Sequence, residues 1–217
     1  MKLKVACTLF RGGDSVPPHS RDTFTPEWAD RLYRGLARNL TVPWEFWCLT
    51  DEPAGAFNED VHVEPFAHGR RDLQSCILEC FRLDGRVLFM GLDTIITGNM
   101  DDLARYDGPF AMIRDPNFPT RAASGVMSWR DRQDIWAAFL ADDASHESHM
   151  FGYPADQGWL ERFNQEWLCE RFPRQLVSYK CHVKRDRTVL DDARLVYFHG
   201  MEKPHQISEP FVRECWW

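Results

Sequence analysis

An aspartate lies at the end of a segment that the sequence predicts to be a buried strand. The run Val87–Met90 is continuously apolar, as in a strand covered on both faces, and it leads through Gly91 and Leu92 to Asp93. Folds of the α/β class bind ligands beyond the carboxyl ends of such strands. A carboxylate placed there is costly unless it is paired or ligates a cation. Asp93 is therefore a candidate cation ligand, with the capping of a turn as the alternative.

A histidine and a lysine follow another predicted strand. The apolar run Leu195–His199 ends in the histidine, Gly200 permits a tight turn, and Lys203 comes within one further turn. An imidazole and an ammonium at a strand end suit a metal-bound diphosphate, because the first ligates the metal and the second neutralises charge. The alternative is a surface histidine beside a solvated lysine.

Two further pairs of residues are candidates for contact with a substrate. Asp156 and Gln157 open a helical pattern, in which Asp156 either caps the helix or faces a ligand together with Gln157. Ser124 and Gly125 lie in a predicted strand, where the glycine either lets a ligand approach closely or marks a bulge. Neither pair identifies a ligand without the others.

Short apolar runs alternate with helical patterns along the chain, which predicts an α/β sheet in one domain covering residues 1–217. The predicted strands are 3–10, 45–50, 61–66, 87–90 continuing through 94–97, 110–114, 122–129, 177–183 and 195–199. The predicted helices cover the apolar stripes within 28–40, 73–81, 135–140 and 156–167. The first of them begins after an N-cap at Thr25, with Pro26 in its first turn.

Composition excludes several classes of protein. The chain has 217 residues, of which 44% are hydrophobic and 27% charged, so disordered and collagen-like chains are excluded. Its formal charge of -7 argues against a nucleic-acid partner and leaves room for a small phosphorylated ligand. Apolar stretches of about 18 residues are missing, so no transmembrane segment is expected. The seven cysteines, an odd number with no C-x-x-C, favour a reducing, cytoplasmic location.

The candidate residues, taken in order, resemble a known family. Four segments are similar, in this order, to the motifs of GT-A-fold glycosyltransferases that use nucleotide sugars. They are the run Leu-Asp-Thr-Ile-Ile-Thr-Gly that begins at Leu92, then Ser124–Met127, Asp156–Gln157 and His199–Pro204. The resemblance covers residues 2–205 and is to glycosyltransferase family 8 and related small bacterial or phage proteins. It implies a mixed, mostly parallel central sheet flanked by helices. It also implies hexosyl transfer, with retention, from a nucleoside-diphosphate sugar such as a UDP-sugar to a saccharide, lipid or protein acceptor, with Mn²⁺ or Mg²⁺ as cofactor.

The same resemblance implies roles for individual residues. Asp93 and His199 would ligate the metal, and Lys203 would bind the departing diphosphate. Asp156 would steady positive charge on the sugar, with Gln157 beside it. The implied contacts to the nucleotide sugar are Cys7, Thr8, Arg11, Leu92, Asp93, Ser124, Gly125, His199, Gly200 and Lys203.

Four positions depart from the family pattern. Gly91 replaces the first carboxylate of the D-x-D motif, and Tyr197 stands where the family's histidine usually precedes Gly200 by three residues. Ala123 replaces a frequent asparagine, and Ile77 a basic residue. These departures support a second hypothesis, in which the chain is a weakened or inactive relative that acts as a binding or scaffold module.

A third hypothesis is a sugar-phosphate nucleotidyltransferase, which requires a glycine-rich basic loop after the first strand. Residues 11–14, Arg-Gly-Gly-Asp, match that pattern weakly, with two glycines and one basic residue. Most aromatic side chains fall on helical stripes and are assigned to the core. The remaining candidates to face a sugar are Phe118, Phe151, Tyr153 and the terminal pair Trp216 and Trp217.

Overall fold

A computed structural model describes residues 2–11, 24–68, 73–142, 155–163, 165–200 and 202–217 of the chain. Its strands are β1 (Leu3–Leu9), β2 (Trp44–Thr50), β3 (Val61–Pro65), β4 (Arg86–Met90), β5 (Thr94–Ile96), β6 (Ala111–Arg114), β7 (Ala122–Arg130), β8 (Glu166–Trp167), β9 (Leu176–Ser178) and β10 (Leu195–Tyr197). Its α-helices are α1 (Pro26–Asn39), α2 (Leu73–Leu78), α3 (Asp101–Ala104), α4 (Gln133–Ala141), α5 (Ala155–Leu160), α6 (Leu168–Arg171) and α7 (Pro210–Cys215). Short 3₁₀ turns cover Ala54–Ala56, Glu79–Arg82 and Pro204–Gln206, and a π-helix covers Tyr179–Arg185.

The central sheet has the strand order β3-β2-β1-β4-β7-β6-β8. The pairs β3–β2, β2–β1, β1–β4 and β6–β8 are parallel, whereas β7 runs antiparallel to both of its neighbours. The sheet is therefore mixed and mostly parallel, which confirms the α/β fold class expected from the sequence. The chain builds β1, β2 and β3 toward one edge and then returns to place β4 on the other side of β1, so the strand order reverses between β1 and β4.

Apolar side chains cover both faces of this sheet. Along β1, Val5 and Cys7 belong to one buried cluster, and Ala6 belongs to the other, as the two-residue period of a strand requires. Helix α1 covers the first face through Trp28 and its apolar stripe. The 3₁₀ turn 79–82 and helices α4 and α5 contribute buried residues to the second face.

A second, smaller sheet has the order β5-β10-β9, with β10 antiparallel to β5 and parallel to β9. Strand β5 begins only three residues after β4 leaves the central sheet, so residues 91–93 join the two sheets. The sequence predicted the run 94–97 to be a continuation of the preceding strand, whereas it belongs to this separate sheet.

Residues 177–183 do not form the strand that their strict alternation predicted. Only β9, ending at Ser178, is extended, and the chain then winds into the π-helix. The hydroxyl of Ser178 accepts the N–H of Cys181 at 3.1 Å, and Nδ1 of His182 accepts the N–H of Ser178 at 3.0 Å. These local hydrogen bonds give the backbone an alternative to a strand ladder.

The helical pattern predicted over 156–167 also ends early. Helix α5 stops at Leu160, and Trp167 lies in the short strand β8, which pairs with β6. The N–H of Glu166 donates to the carbonyl of Phe110 at 2.9 Å, so sheet pairing overrides the helical spacing of the aromatic residues here.

Thr25 does precede α1 with an extended backbone, as predicted, although its side chain makes no capping hydrogen bond within the described residues. Across these same ranges, every helix is too short or too polar to cross a bilayer. All seven cysteines are free thiols.

Candidate functional site

A cavity of about 560 Å³ opens at the carboxyl edge of the central sheet, beside the point where the strand order reverses. Strands β1 and β4 are parallel, and β6 points the same way because it and β4 are both antiparallel to β7. The ends of β1, β4 and β6 and the start of β7 therefore meet at one edge. This is the position at which open α/β sheets bind ligands.

The lining of the cavity brings together most of the residues singled out from the sequence. The predicted residues that line it are Thr8, Leu92, Asp93, Ser124, Gly125, Gln157, His199, Gly200 and Lys203. They come from both sheets and from α5. Segments separated by more than a hundred residues thus meet around one space.

Asp93 and Lys203 form an ion pair at the wall of this cavity. The Nζ of Lys203 contacts Oδ2 of Asp93 across 110 residues of sequence. Only 16% of the Asp93 side chain and 18% of the Lys203 side chain are exposed, so solvent screens this pair less than it screens a surface pair. The costly carboxylate at the strand end is thereby compensated by the lysine predicted to act beside it.

His199 reaches the cavity from the end of β10. The carbonyl of Asp93 accepts the N–H of Phe198 at 3.0 Å, which extends the pairing of β10 with β5 as far as the residue before the histidine. Burial, followed by the nearby charge of Lys180, lowers the pKa of the His199 imidazole below 6.5, while Asp115 and Asp93 act in the opposite direction. The ring is therefore neutral at pH 7, the form that can ligate a metal.

Gly91 leaves room beside Asp93. A Cβ built at residue 91 would lie 3.0 Å from Oδ1 of Asp93 and 3.7 Å from the carbonyl oxygen of Gly125. The N–H of Gly91 donates to that same carbonyl at 2.9 Å, so the backbone stays joined to β7. Residue 91, where the family pattern has the first carboxylate of D-x-D, is thus joined to β7 by its backbone and carries no side chain.

Another part of the wall is made of residues from β7 and α5. Ser124 is buried on β7, and among the described residues a Cβ at Gly125 would meet Ile113 alone, at 3.8 Å. Oε1 of Gln157 is buried and has no hydrogen-bond partner within the described residues. Because buried amide oxygens are normally satisfied, this atom is a candidate acceptor for a ligand hydroxyl.

Three predicted residues do not line the cavity. Cys7 is fully buried between the strands beside Cys48, and burial, followed by its hydrogen bond with Cys48, raises the pKa of its thiol. Arg11 donates to the carbonyl of Phe24 at 2.9 Å and pairs with Glu52 at 3.0 Å. Asp156 is buried in the first turn of α5, next to Gln157. Contact of these three with a donor stays a prediction.

The sequence reasoning missed a second acidic position in the cavity. Asp115 follows β6 as Asp93 follows β4, and its Oδ1 accepts the N–H groups of Asn117 at 2.7 Å and Phe118 at 3.2 Å. The signal was present, since both carboxylates come within three residues of the end of apolar strands that run in the same direction. It was hidden because Arg-Asp-Pro-Asn is also an ordinary turn sequence.

Aromatic side chains supply much of the remaining wall. Phe10, Phe24, Phe89 and Phe198 line it, together with Phe118, which is 55% exposed. Phe118 was a predicted sugar-facing residue, whereas residues 151 and 153 lie outside the described part of the chain. The cavity therefore offers flat apolar surfaces next to a few charges.

The donor types at the site fit a hard divalent cation held jointly with phosphate. Asp93 provides a carboxylate whose Oδ1 faces the space at Gly91, and His199 provides a neutral imidazole. No group of three or more His, Cys, Asp and Glu side chains within the described ranges is arranged to hold a metal ion. Mg²⁺ and similar cations are commonly held by one or two carboxylates together with substrate phosphates and water. Asp93 and His199 are the side chains here that could bind such a cation together with phosphate, provided that the ion pair between Lys203 and Asp93 loosens when the cation binds.

Comparison with known proteins adds a fold assignment. The sequence matches no protein-family model, and no curated protein shows significant similarity to it. The structure is similar to glycosyltransferase GlyE of Streptococcus pneumoniae TIGR4, with a TM-score of 0.68 and 15% identity over 98% of this chain and 58% of that chain. The apo form of GlyE gives a TM-score of 0.67 and 14% identity over 99% and 59% of the two chains. The apo structure of WbbM, a bifunctional glycosyltransferase, has a TM-score of 0.56 and 10% identity, over 98% of this chain and 51% of that chain.

The fold is similar to that of these glycosyltransferases. The similarity confirms the GT-A-like α/β architecture expected from the sequence, and at such low identity it is evidence for the fold alone. This chain spans little more than half the length of these glycosyltransferases. Membership of family 8 and the one-domain organisation stay predictions.

Proposed function

We propose that this protein transfers a sugar from a nucleoside-diphosphate sugar to an acceptor. The observation that carries the proposal is a cavity, in a fold similar to that of glycosyltransferases, that is lined by Asp93, His199 and Lys203 together with Ser124 and Gln157. The first three are the residue types that bind a metal-associated diphosphate, and the last two are polar groups suited to sugar hydroxyls.

Charge is the strongest constraint on how a donor binds. The charged side chains among the described lining residues are Asp93, Asp115 and Lys203, because His199 is neutral at pH 7. Their sum is one negative charge, and the diphosphate of a nucleotide sugar adds two more. A divalent cation that arrives with the donor would offset this repulsion, so we propose binding that depends on Mn²⁺ or Mg²⁺.

The residues then divide the work of transfer between them. Asp93 and His199 would hold the cation, which supplies Lewis-acid stabilisation of the departing diphosphate when bound. Lys203 places an ammonium at the same wall, where it would neutralise charge that builds on the leaving oxygen. Gln157 would accept a hydrogen bond from the sugar through Oε1, and Asp156 would steady positive charge on the sugar from the adjacent turn.

The finer identity of the reaction rests on the resemblance to family 8. We propose a UDP-sugar donor, a hexosyl group and retention of configuration on that basis, with a saccharide, lipid or protein as acceptor. The cytoplasmic location likewise stays a prediction.

Gly91 favours a second candidate function. Because one carboxylate of the metal motif is missing, the second candidate is a binding module that keeps donor binding in the same cavity without catalysis. This alternative predicts metal-dependent nucleotide binding and no turnover. If the chain is instead a scaffold that has lost the donor site, we expect neither nucleotide binding nor turnover.

A thermal-shift panel of nucleoside diphosphates, each with EDTA or Mn²⁺, separates these possibilities. At a ligand concentration of 100 times Kd, binding adds about 2.7 kcal/mol to the free energy of unfolding. That corresponds to a rise in Tm of roughly 5–10 °C for a domain of this size. Hydrolysis or transfer from the nucleotide sugar that binds, followed by release of the nucleoside diphosphate, then tests catalysis. No shift with any nucleotide under either condition would refute the proposed function.

A further inference from the structure

The ammonium group of Lys203 has an aromatic neighbour in addition to Asp93. Its Nζ lies 5.4 Å from the centre of the Phe24 ring, within the distance at which a ring attracts a cation. Both residues line the cavity, and only 18% of the lysine side chain is exposed. Because a cation–π contact is stronger where the cation is shielded from water, the ring is a second partner for this ammonium.

Phe24 is itself fixed at its backbone and at its ring. Its carbonyl accepts a hydrogen bond from the guanidinium of Arg11 at 2.9 Å. Its ring packs edge-to-face on Trp28, with the ring centres 4.8 Å apart. Trp28 is only 6% exposed and packs in turn on Trp216. The position of the Phe24 ring is therefore set by the core and does not depend on Lys203.

The backbone that follows Lys203 contacts the same aromatic cluster. The ring of His205 packs on Trp28, with 5.5 Å between the ring centres. Between these two positions the chain forms a tight turn, in which the N–H of Lys203 donates to Oε1 of Gln206 at 2.8 Å. The cluster of Phe24, Trp28 and His205 thus contacts both the turn after Lys203 and the tip of its side chain.

An aromatic ring and a carboxylate hold an ammonium with different consequences. The carboxylate of Asp93 neutralises the charge of Lys203, whereas the ring attracts the ammonium and leaves its charge in place. A lysine side chain has a long, flexible stem, so an ammonium that loses its carboxylate keeps its place only if another group attracts it. The Phe24 ring is such a group at the cavity wall.

We propose that Phe24 is a positioning residue whose ring holds the ammonium of Lys203 at the cavity wall when the ion pair with Asp93 loosens, and so keeps its charge available to the diphosphate of the donor. Only the last clause, on the diphosphate, rests on the proposed function. The placement of the ammonium stands on the contacts of Lys203 and Phe24 alone.

Nuclear Overhauser contacts between the ε-methylene protons of Lys203 and the ring protons of Phe24 test the placement. Lys203→Gln assigns the lysine signals by their loss. The contacts should be present in the wild-type protein without metal or nucleotide. They should remain in Asp93→Asn, which breaks the ion pair and keeps the shape of residue 93. Their absence from either protein would overturn the proposal.

A series of fluorinated phenylalanines, incorporated at residue 24, tests the cause. Fluorine withdraws negative charge from the ring face with little change of shape, so a role in packing alone would be unaffected. We expect the Kd for UDP with Mn²⁺ to rise stepwise from monofluoro- to trifluorophenylalanine, by about three- to tenfold in all. The reason is that Asp93 still holds the ammonium in the free protein, whereas in the bound state the ring is needed.

Two controls separate this effect from others. In the Lys203→Gln background the series should leave the Kd unchanged, because no ammonium is left to attract; a dependence on fluorine that persists there would overturn the positioning role. The same series at Phe172 is the matched control, because this ring also packs edge-to-face on an aromatic residue, Tyr106, and no cation lies over it within the described ranges. It should not change the Kd.

The two proposals fail in different ways. A protein that keeps the contact between Lys203 and Phe24 in Asp93→Asn but binds no nucleotide would remove the proposed function and leave the placement of the ammonium. A protein that binds UDP with the same Kd for every fluorinated ring at residue 24 would remove the positioning role of Phe24 alone.

Discussion

Restoring a carboxylate at residue 91 tests the site most sharply, because the structure gives the distance from which the effect can be worked out. The backbone at Gly91 is not left-handed, so a side chain is admissible there, and its Cβ would lie 3.0 Å from Oδ1 of Asp93. Gly91→Ala therefore requires Asp93 to move by a few tenths of an ångström. We expect this to cost about 1 kcal/mol of unfolding free energy, at the low end for overpacking.

Gly91→Asp adds a like charge next to Asp93. Two unit charges about 4–5 Å apart interact by roughly 3–4 kcal/mol at an effective dielectric constant of 20. The ion pair with Lys203 offsets part of this repulsion, so we expect Gly91→Asp to be about 1–3 kcal/mol less stable than Gly91→Asn in EDTA. Gly91→Asn is the control, because it matches the aspartate in shape and lacks its charge.

With Mn²⁺ and UDP the deficit of Gly91→Asp relative to Gly91→Asn should shrink. A second carboxylate should tighten Mn²⁺ binding by about tenfold or more, which is worth about 1.4 kcal/mol. Chemical denaturation in EDTA and in saturating Mn²⁺ with UDP measures both differences on the same three variants. Equal responses of Gly91→Asp and Gly91→Asn to the metal would show that residue 91 does not adjoin the cation, and the reasoning about this site would be wrong.

Three further predictions follow from individual contacts. Lys203→Gln should lower the rate of transfer by about a hundredfold, because one charge is lost at the leaving group, whereas Lys184→Gln, which breaks only the exposed pair with Glu202, should leave the rate unchanged in the same steady-state assay. Glu79→Gln should lower the free energy of unfolding, measured in urea, by about 2–4 kcal/mol, because the fully buried carboxylate accepts the N–H groups of Ala67 and His68 at 2.8 Å and pairs with Arg82. The control Glu170→Gln removes an exposed pair with Arg114 and should cost about 1 kcal/mol or less. Burial lowers the pKa values of His182 and His199 below 6.5, so these histidines take up protons in the unfolded chain before they do in the folded protein as the pH falls. The free energy of unfolding from denaturant titrations should therefore decrease between pH 7 and pH 5.5, and a constant value over that range would contradict the burial of these rings.

The parts of the fold that could be predicted are those where a local pattern and the tertiary contacts agree. The apolar run before Asp93 is buried on both sides in β4, and the stripe of α1 packs on the sheet as its spacing requires. The carboxylate at the end of β4 was therefore predictable from the sequence. Lys203 was singled out from its place after the last strand, but its pairing with Asp93 was not predicted, because no local pattern links residues 110 positions apart.

The parts that could not be predicted are those where side-chain hydrogen bonds or sheet pairing override the pattern. Alternation from Val177 predicted a strand, but the hydroxyl of Ser178 and the imidazole of His182 bind the local backbone and wind the chain into a π-helix. Trp167 fitted the helical stripe of α5, yet pairing with β6 took it into β8. Both elements stand next to the cavity walls, and their conformations were therefore invisible before the structure.

The order of strands in the small sheet has a consequence for how the protein gains its site during folding. Its middle strand is β10, the last strand along the chain, so β5 and β9 have no partner in this sheet until residues 195–197 arrive. The seven-stranded sheet contains no part of that segment and can pair without it. Contacts of long sequence separation form late because loop closure must come first. Refolding followed by hydrogen exchange should therefore protect β1, β2 and β4 before β5, and the binding of a nucleotide should appear only in the final phase.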